Sequence, residues 1–277
     1  MANFVEFTIT KNETVREFIE AFGVSKKTTY KQEMYNLIRV NGEIKKLHDR
    51  VKENDVISFK LAPLDGAVKP YNGEVKIVYE DEDLVIVNKP SGLLIHEDGN
   101  TFNTLTNRLN FHYQQQGIDY PVLPAHRLDY DTSGIVVFAK HFMSLADLSK
   151  QFEDQSVKKI YVAMVDNLMT KKEGQITYKI GKDRHSKKQV VTDTGKDAST
   201  YYKVINEFEN QSKVEVEIKG GRTHQIRVHM AYIGHTLVGD VLYGKTPNSR
   251  LLLHFKKITL RHPRTHKPFS FTIEETF

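Results

Sequence analysis

The sequence predicts an α+β protein made of a small leading unit and a larger following one. Apolar, β-branched runs at residues 75–79 and 84–87 flank the acidic tetrad Glu80-Asp81-Glu82-Asp83 and read as a hairpin. Residues 213–219 alternate strictly, with Val214, Val216 and Ile218 on one face and Glu215 and Glu217 on the other, as in a half-exposed strand. Interspersed stretches have helical spacing and caps, such as residues 104–116 with Leu105 and Leu109, ended by Gly117. Between the two units, residues 61–72 contain Pro63, Gly66 and Pro70 and show no periodicity, which marks a linker. The predicted division is 1–62, a linker at 63–74, and 75–277.

Composition narrows the class. The chain has 277 residues, 39% hydrophobic and 27% charged, a globular balance and not a disordered one. It has no cysteine, which excludes disulfides and thiolate-held zinc and fits a reducing compartment. The N-terminus lacks a basic-then-apolar signal pattern, and no apolar run approaches the about 20 residues that span a bilayer. A cytoplasmic protein with no membrane partner is expected. A net charge of +5 suits an anionic partner, although an ordinary basic protein has the same balance.

In the leading unit, Phe4, Val5, Phe7 and Ile9 suggest a first strand. Thr14 is placed to cap a helix with Val15, Phe18, Ile19 and Phe22, which Gly23 ends. Ser25 opens a second helix with Lys26, Lys27 and Lys31 near its start. An Asn41-Gly42 turn and a strand at residues 56–59 follow. This order, with Arg39-Val-Asn-Gly-Glu43 and the later run 51–59, resembles the alpha-L RNA-binding motif shared with ribosomal small-subunit protein four. The resemblance implies that Lys26, Lys27 and Lys31 contact RNA phosphates. The chain departs from the motif at Val15-Arg16-Glu17 and at Lys26, where arginine is common. Lysine keeps the charge and loses the bidentate fork.

The centre of the larger unit is His126-Arg127-Leu128-Asp129-Tyr130-Asp131-Thr132-Ser133-Gly134, which runs into the apolar stretch Ile135-Val136-Val137-Phe138. A polar, turn-forming cluster thus leads into a buried strand, and Gly134 permits the tight turn. Asp129 lies in a loop braced by a strand, a common setting for chemistry. Read locally, its carboxylate could equally cap Thr132 or Ser133. The complete string resembles the signature of the RluA/RluD family of pseudouridine synthases. That resemblance implies that Asp129 is the catalytic aspartate, and Arg127 and His126 beside it are expected on the substrate side.

Other stretches carry the same resemblance. Residues 80–96 match the family segment that leads into the cleft; its residues look architectural, with Lys89 a candidate to face nucleic acid. Lys159-x-Tyr161-x-Ala163-x-Val165 matches the family's second motif, which implies that Tyr161 lies against the target uracil. The family usually has glycine where this chain has Asn167. In Gln225-x-Arg227-Val228-His229, the arginine is implied to pair with the catalytic aspartate, with Arg222 the weaker alternative. Thr223 is a good N-cap for this helix and Gly234 ends it. Leu251, in Arg250-Leu-Leu-Leu-His254, matches the leucine that lines the uracil pocket. Five cations at residues 179–188 suggest RNA contact, with Arg184, Lys187 and Lys188 as candidates. His224 and His229 lie five apart with no carboxylate between them, so no metal is expected.

The implied fold is a mixed, largely antiparallel sheet with flanking helices and a central cleft. The implied activity is isomerisation of uridine in ribosomal or transfer RNA by a monomer. The uracil–ribose bond breaks, the base turns, and carbon 5 rejoins the sugar. Nothing is added, so no cofactor is expected. Asp129 would act at the sugar, Arg227 would aim it, and Tyr161 and Leu251 would hold the base. Tyr161 could assist removal of the carbon 5 proton. The uridine must flip out of its stack, and Arg127 suits the task of filling the gap. A catalytically silent RNA-binding or ribosome-assembly factor would need the basic unit without these residues. A glycoside hydrolase would need a second flanking carboxylate.

Overall fold

The computed structural model describes residues 3–61, 68–186 and 188–277. The leading unit comprises β1 (Phe4–Thr8), β2 (Glu13–Thr14), α1 (Val15–Ala21), α2 (Lys26–Met34), β3 (Ile38–Val40), β4 (Glu43–Ile44), β5 (Arg50–Val51) and β6 (Val56–Lys60). Strands β1, β6, β3 and β4 form one antiparallel sheet in that order. Thr14 caps α1 by accepting the Glu17 N–H, and the Glu17 carboxylate accepts the Thr14 N–H in return. The Ser25 hydroxyl accepts the Thr28 N–H at the start of α2. Asn41 and Gly42 both have positive φ, which suits the tight β3–β4 turn. Val15, Ile19, Ile57 and Phe59 are fully buried in this unit's core. Of the segment read as a linker, residues 63–67 lie outside the described residues.

The larger unit begins with β7 (Ile77–Glu80), β8 (Leu84–Lys89), α3 (Leu105–Gln115), β9 (Leu123–Pro124), β10 (Ser133–Ala139) and α4 (Phe142–Glu153). It continues with β11 (Lys158–Asp166), β12 (Glu173–Ile176), β13 (Ile180–Lys182), β14 (Gln189–Val191), β15 (Ser199–Glu207) and β16 (Gln211–Lys219). Helix α5 (Gln225–Tyr232) and strands β17 (Leu253–Arg261) and β18 (Pro268–Thr272) complete it. A ten-stranded sheet runs β12-β15-β16-β11-β17-β10-β8-β7, with β18 beside β17 and β9 beside β10. Its pairings are antiparallel except β10 with β17, which is parallel and joins Ser133 to His254 and Gly134 to Phe255. Leu109 of α3, Leu148 of α4 and Met230 of α5 are fully buried in its core. Among the described residues no helix is long and apolar enough to cross a membrane.

Gly134 sits at the join of the sheet's two halves with φ of +115°. A Cβ there would lie 2.4 Å from the Phe255 carbonyl oxygen and 2.6 Å from its nitrogen. No side chain fits, so the parallel pairing requires glycine.

His126 departs from the expectation of a substrate contact. Its Nε2 accepts the Val137 N–H at 3.1 Å, and its ring stacks on Phe152 at 4.5 Å and meets Phe255 edge-on at 5.8 Å. It braces β10 from the core side, and burial pushes its pKa down to about 3. Helix α4 takes its cap from a histidine. His141 is the N-cap and its Nδ1 accepts the Ser144 N–H, whereas the Ser144 hydroxyl turns back to the His141 carbonyl. Asp83 fixes this ring by meeting its Nε2 at 2.9 Å.

The two units share a core. Met143 of α4 is fully buried among leading-unit residues, and Phe142 packs edge-on against Phe59. The Arg264 guanidinium lies 4.3 Å from the Phe7 ring centre and donates to the Asp83 carboxylate at 2.7 Å and to the Glu6 carbonyl at 2.5 Å.

Gly134→Ala is expected to cost about 3 kcal/mol or more, read as a lowered urea midpoint or insoluble protein; an unchanged midpoint would refute the steric argument. His126 stays neutral in the fold, whereas the unfolded imidazole takes a proton near pH 6.5. The unfolded state therefore binds more protons between about pH 6.5 and 3, and stability falls as pH drops through that window. The urea midpoint of His126→Gln is expected to fall less steeply than that of the wild type between pH 7 and pH 4. Parallel slopes would remove His126 as a source of acid sensitivity.

Candidate active site

The Asp129 loop rests on the turn at residues 88–92. Lys89 is fully buried, and its Nζ donates to the carbonyls of Pro90 at 3.0 Å, Leu93 at 2.7 Å and Tyr130 at 3.0 Å. Burial pushes its pKa down to about 7, and Asp129 and Asp131 pull the other way. Three acceptors match the three N–H donors of the charged ammonium, the form this geometry fits. Lys89 therefore anchors the loop from inside, contrary to the expectation that it faces nucleic acid. The Ser91 hydroxyl donates to the Asp131 carbonyl at 2.6 Å, and the Gly92 N–H donates to the Tyr130 carbonyl at 2.9 Å.

The loop turns where the Thr132 N–H donates to the Asp129 carbonyl at 3.1 Å. The turn uses the Asp129 backbone and leaves its side chain free. Among the described residues no hydrogen bond reaches the carboxylate, so it does not cap Thr132 or Ser133. It lines a cleft together with Arg127, Tyr161, His224, Arg227 and Leu253.

Tyr161 stands on β11, where alternation puts its ring on the core face of the sheet. The ring stacks on Phe255 at 4.5 Å with 12° between planes. Burial pushes its hydroxyl pKa up, and the nearby Asp129 charge adds to this. The side chain is thus held as a phenol, a flat wall and hydrogen-bond donor, and is a poor proton acceptor. Leu251 is buried in the core and does not line the cleft; Leu253, first residue of β17, does so instead. Asn167, where the family has glycine, adopts φ of +67°, the left-handed turn conformation that glycine favours.

Arg227 is buried at 2% exposure, and its partner differs from the expectation. Its Nε and Nη2 each donate at 2.7 Å to the two carboxylate oxygens of Asp240, and no ion pair joins it to Asp129. Burial works to raise the Asp240 pKa, but the bonds from Arg227 and the backbone N–H groups of Leu242 and Tyr243 outweigh it and lower the pKa. Thr223 does not cap α5. His224 occupies that position with φ of +56° and makes no side-chain cap, while the Gln225 side chain accepts the N–H groups of Gly221 and Arg222.

His224 is a cleft residue that sequence reasoning considered only as a metal ligand. The Tyr243 hydroxyl oxygen accepts the Gln189 N–H at 2.9 Å, so its own proton is free to donate to His224 Nδ1 at 3.0 Å. The other ring nitrogen, Nε2, lies 4.0 Å from an Asp129 carboxylate oxygen. Burial lowers the His224 pKa against the pull of Asp129. The chain signal was the strained, polar run Gly220–Gln225 before a helix, but nothing local tied it to Asp129.

The basic residues divide between places. Arg127 is exposed at the cleft wall. Arg184 and Lys188 are exposed on the β13–β14 hairpin, where Lys188 Nζ lies 5.8 Å from the Tyr243 ring centre. Lys187 lies outside the described residues. On α2, Lys26 and Lys27 are exposed and Lys31 is half-buried. Away from the cleft, Asp81, Asp83 and His262 converge within 4.8 Å, but their ligand atoms are committed to hydrogen bonds with protein groups including Leu84, Tyr79, His141 and Arg264.

The RNA pseudouridylate synthase family model matches residues 83–232, which include Lys89, Asp129, Tyr161, His224 and Arg227. The Bacillus subtilis RNA pseudouridine synthase YhcT, itself uncharacterized, is 42% identical over 236 residues, or 82% of this chain and 78% of its own. The ribosomal large subunit pseudouridine synthase D of Zymomonas mobilis is 36% identical over 225 residues, covering 74% of this chain and 71% of its own. The structure of human RNA pseudouridylate synthase domain containing 1 superposes with a TM-score of 0.64 at 24% identity, over 74% of this chain and 84% of that one, a likeness of fold. The chain belongs to the RluA/RluD family and is an RNA pseudouridine synthase, an isomerase that converts uridine in RNA to pseudouridine.

Proposed function

We propose that Asp129 is the catalytic carboxylate and that the enzyme modifies ribosomal RNA of the large subunit. The observation that carries the first part is a carboxylate with no hydrogen bond to the described residues, on an anchored loop, in the cleft that also holds Arg127, Tyr161 and Arg227. An ionised carboxylate favours the positive charge that develops on the sugar as the glycosidic bond breaks. Tyr161 packs against the freed uracil and offers its O–H, with Leu253 nearby. Arg227, locked by Asp240, supplies fixed positive charge to the wall. His224 turns its Nε2 toward Asp129 and helps aim it. Leu128, Tyr161, Ile218, Ile226 and Leu253 supply the apolar part of the lining, which limits water that would otherwise hydrolyse the broken bond. Arg127, exposed at the wall, stacks into the duplex position that the flipped uridine leaves.

The RNA reading of the leading unit rests on exposed Lys26 and Lys27 on α2 and on its likeness to the alpha-L motif. The choice of ribosomal RNA rests on relatives named ribosomal large subunit pseudouridine synthase D, at 36% identity in Zymomonas mobilis and in Borreliella burgdorferi.

Tritium release from RNA carrying carbon-5-tritiated uridine tests both parts, with bulk ribosomal and transfer RNA offered separately. Release is expected from ribosomal RNA, falling by about a thousandfold or more in Asp129→Asn while RNA binding persists. Release only from transfer RNA would overturn the substrate, and an active Asp129→Asn would overturn the residue. Asp240→Asn removes the partner of a buried guanidinium and is expected to cost about 3 kcal/mol in urea unfolding. A stable Asp240→Asn that retains full kcat would show that the pair is dispensable.

A further inference from the structure

Strands β13 and β14 form a two-stranded sheet of their own, outside the ten-stranded sheet. A small apolar cluster seats this hairpin, where Ile180 and Val191 pack with Ala198, Val228 of α5 and Tyr243. The hairpin reaches the cleft wall through the Gln189 N–H, which donates to the Tyr243 hydroxyl at 2.9 Å. In the hairpin ladder the neighbouring bond runs from the Asp183 N–H to the Lys188 carbonyl, so the Gln189 N–H faces outward and is free for Tyr243. Tyr243 itself is fixed. Its N–H and that of Leu242 donate to Asp240 Oδ1 at 3.1 and 2.9 Å, and Asp240 is locked by Arg227. The Arg227 guanidinium carbon lies 5.3 Å from the Tyr243 ring centre, so a cation of the wall and Lys188 of the hairpin both lie near one ring. The hydroxyl that takes the Gln189 N–H also meets His224 Nδ1 at 3.0 Å. Among the described residues no other hydrogen bond reaches the His224 ring, whose Nε2 lies 4.0 Å from Asp129.

We propose that Tyr243 is a positioning residue for the isomerisation: through one hydroxyl it passes the seating of the basic hairpin to the His224 ring and so to the Asp129 carboxylate. The hairpin then contributes to turnover and not only to holding RNA. This rests on Asp129 as the catalytic carboxylate. Without the hydroxyl, His224 loses the hydrogen bond that fixes its ring. A carboxylate with no hydrogen bond to the described residues takes its aim from such neighbours, and a small misplacement of a reacting group is costly in rate.

The test is tritium release by the full chain from ribosomal RNA carrying carbon-5-tritiated uridine, followed to saturation. Tyr243→Phe keeps the ring and removes the hydroxyl. Its kcat is expected to fall about tenfold while KM changes by less than about twofold. Gln189→Pro removes the N–H on the hairpin side, where proline fits because the ladder does not use that group, and is expected to reproduce the loss of kcat. His224→Asn, chosen because asparagine tolerates the left-handed backbone, is expected to lower kcat by a similar factor. Adding Tyr243→Phe to it is expected to cost no more, since both act on one path. Losses that multiply in the double variant would overturn the route through His224. A lowered melting temperature with the kcat of the folded enzyme unchanged would make Tyr243 a folding residue and overturn the proposal. A rise in KM alone would assign it to RNA binding, with the same result. Wild-type kcat in Gln189→Pro would overturn the part given to the hairpin. Wild-type kcat in Tyr243→Phe beside an inactive Asp129→Asn would overturn the positioning role alone, whereas an active Asp129→Asn would overturn the reading on which it rests.

Discussion

The Phe255 backbone can approach the Asp129 loop because residue 134 has no side chain. That contact is where β10 joins β17, and it is the one parallel pairing in the ten-stranded sheet. It links a half built from β7, β8 and β10 to a half built from β11, β15, β16 and β17. Phe255 then carries the consequence across the join, since its ring stacks on Tyr161 and meets His126. The carboxylate loop and the Tyr161 phenol are thus positioned by one backbone approach. Lys89 completes the arrangement from below, where its ammonium ties three carbonyls of two separate turns.

Local features of the chain were legible in the sequence. The Thr14 and Ser25 caps, the Asn41-Gly42 turn and the alternation of β16 involve near neighbours, so their chemistry is written within a few residues. Asp129 and Tyr161 were found because whole strings, not single residues, resemble a family. The errors have a common physical origin in contacts between distant segments. Arg227 needed a buried carboxylate, and its spacing could not tell Asp129 from Asp240. Leu251 and Leu253 are two apart in an apolar run, and only the pairing of β17 with β11 decides which reaches the cleft. The His141 cap of α4 likewise depends on Asp83, 58 residues earlier, which holds its ring.

His224 illustrates how the cleft gains order without added bulk. Its left-handed backbone is a costly conformation for a non-glycine residue. The Tyr243 hydroxyl meets its ring and accepts the Gln189 N–H, so the hairpin that carries Arg184 and Lys188 is linked through Tyr243 to a residue facing Asp129. Basic hairpin and cleft wall are parts of one network.

The shared core has a thermodynamic consequence. A unit of about sixty residues buries a modest share of its surface when alone. Here it encloses Met143 of the larger unit and packs Phe59 against Phe142, so neither core is complete without the other. Heat or denaturant therefore meets a single cooperative body, and docking energy is part of folding energy. The loss of orientational freedom between the basic helix and the cleft is incurred once, during folding, and not again each time an RNA arrives.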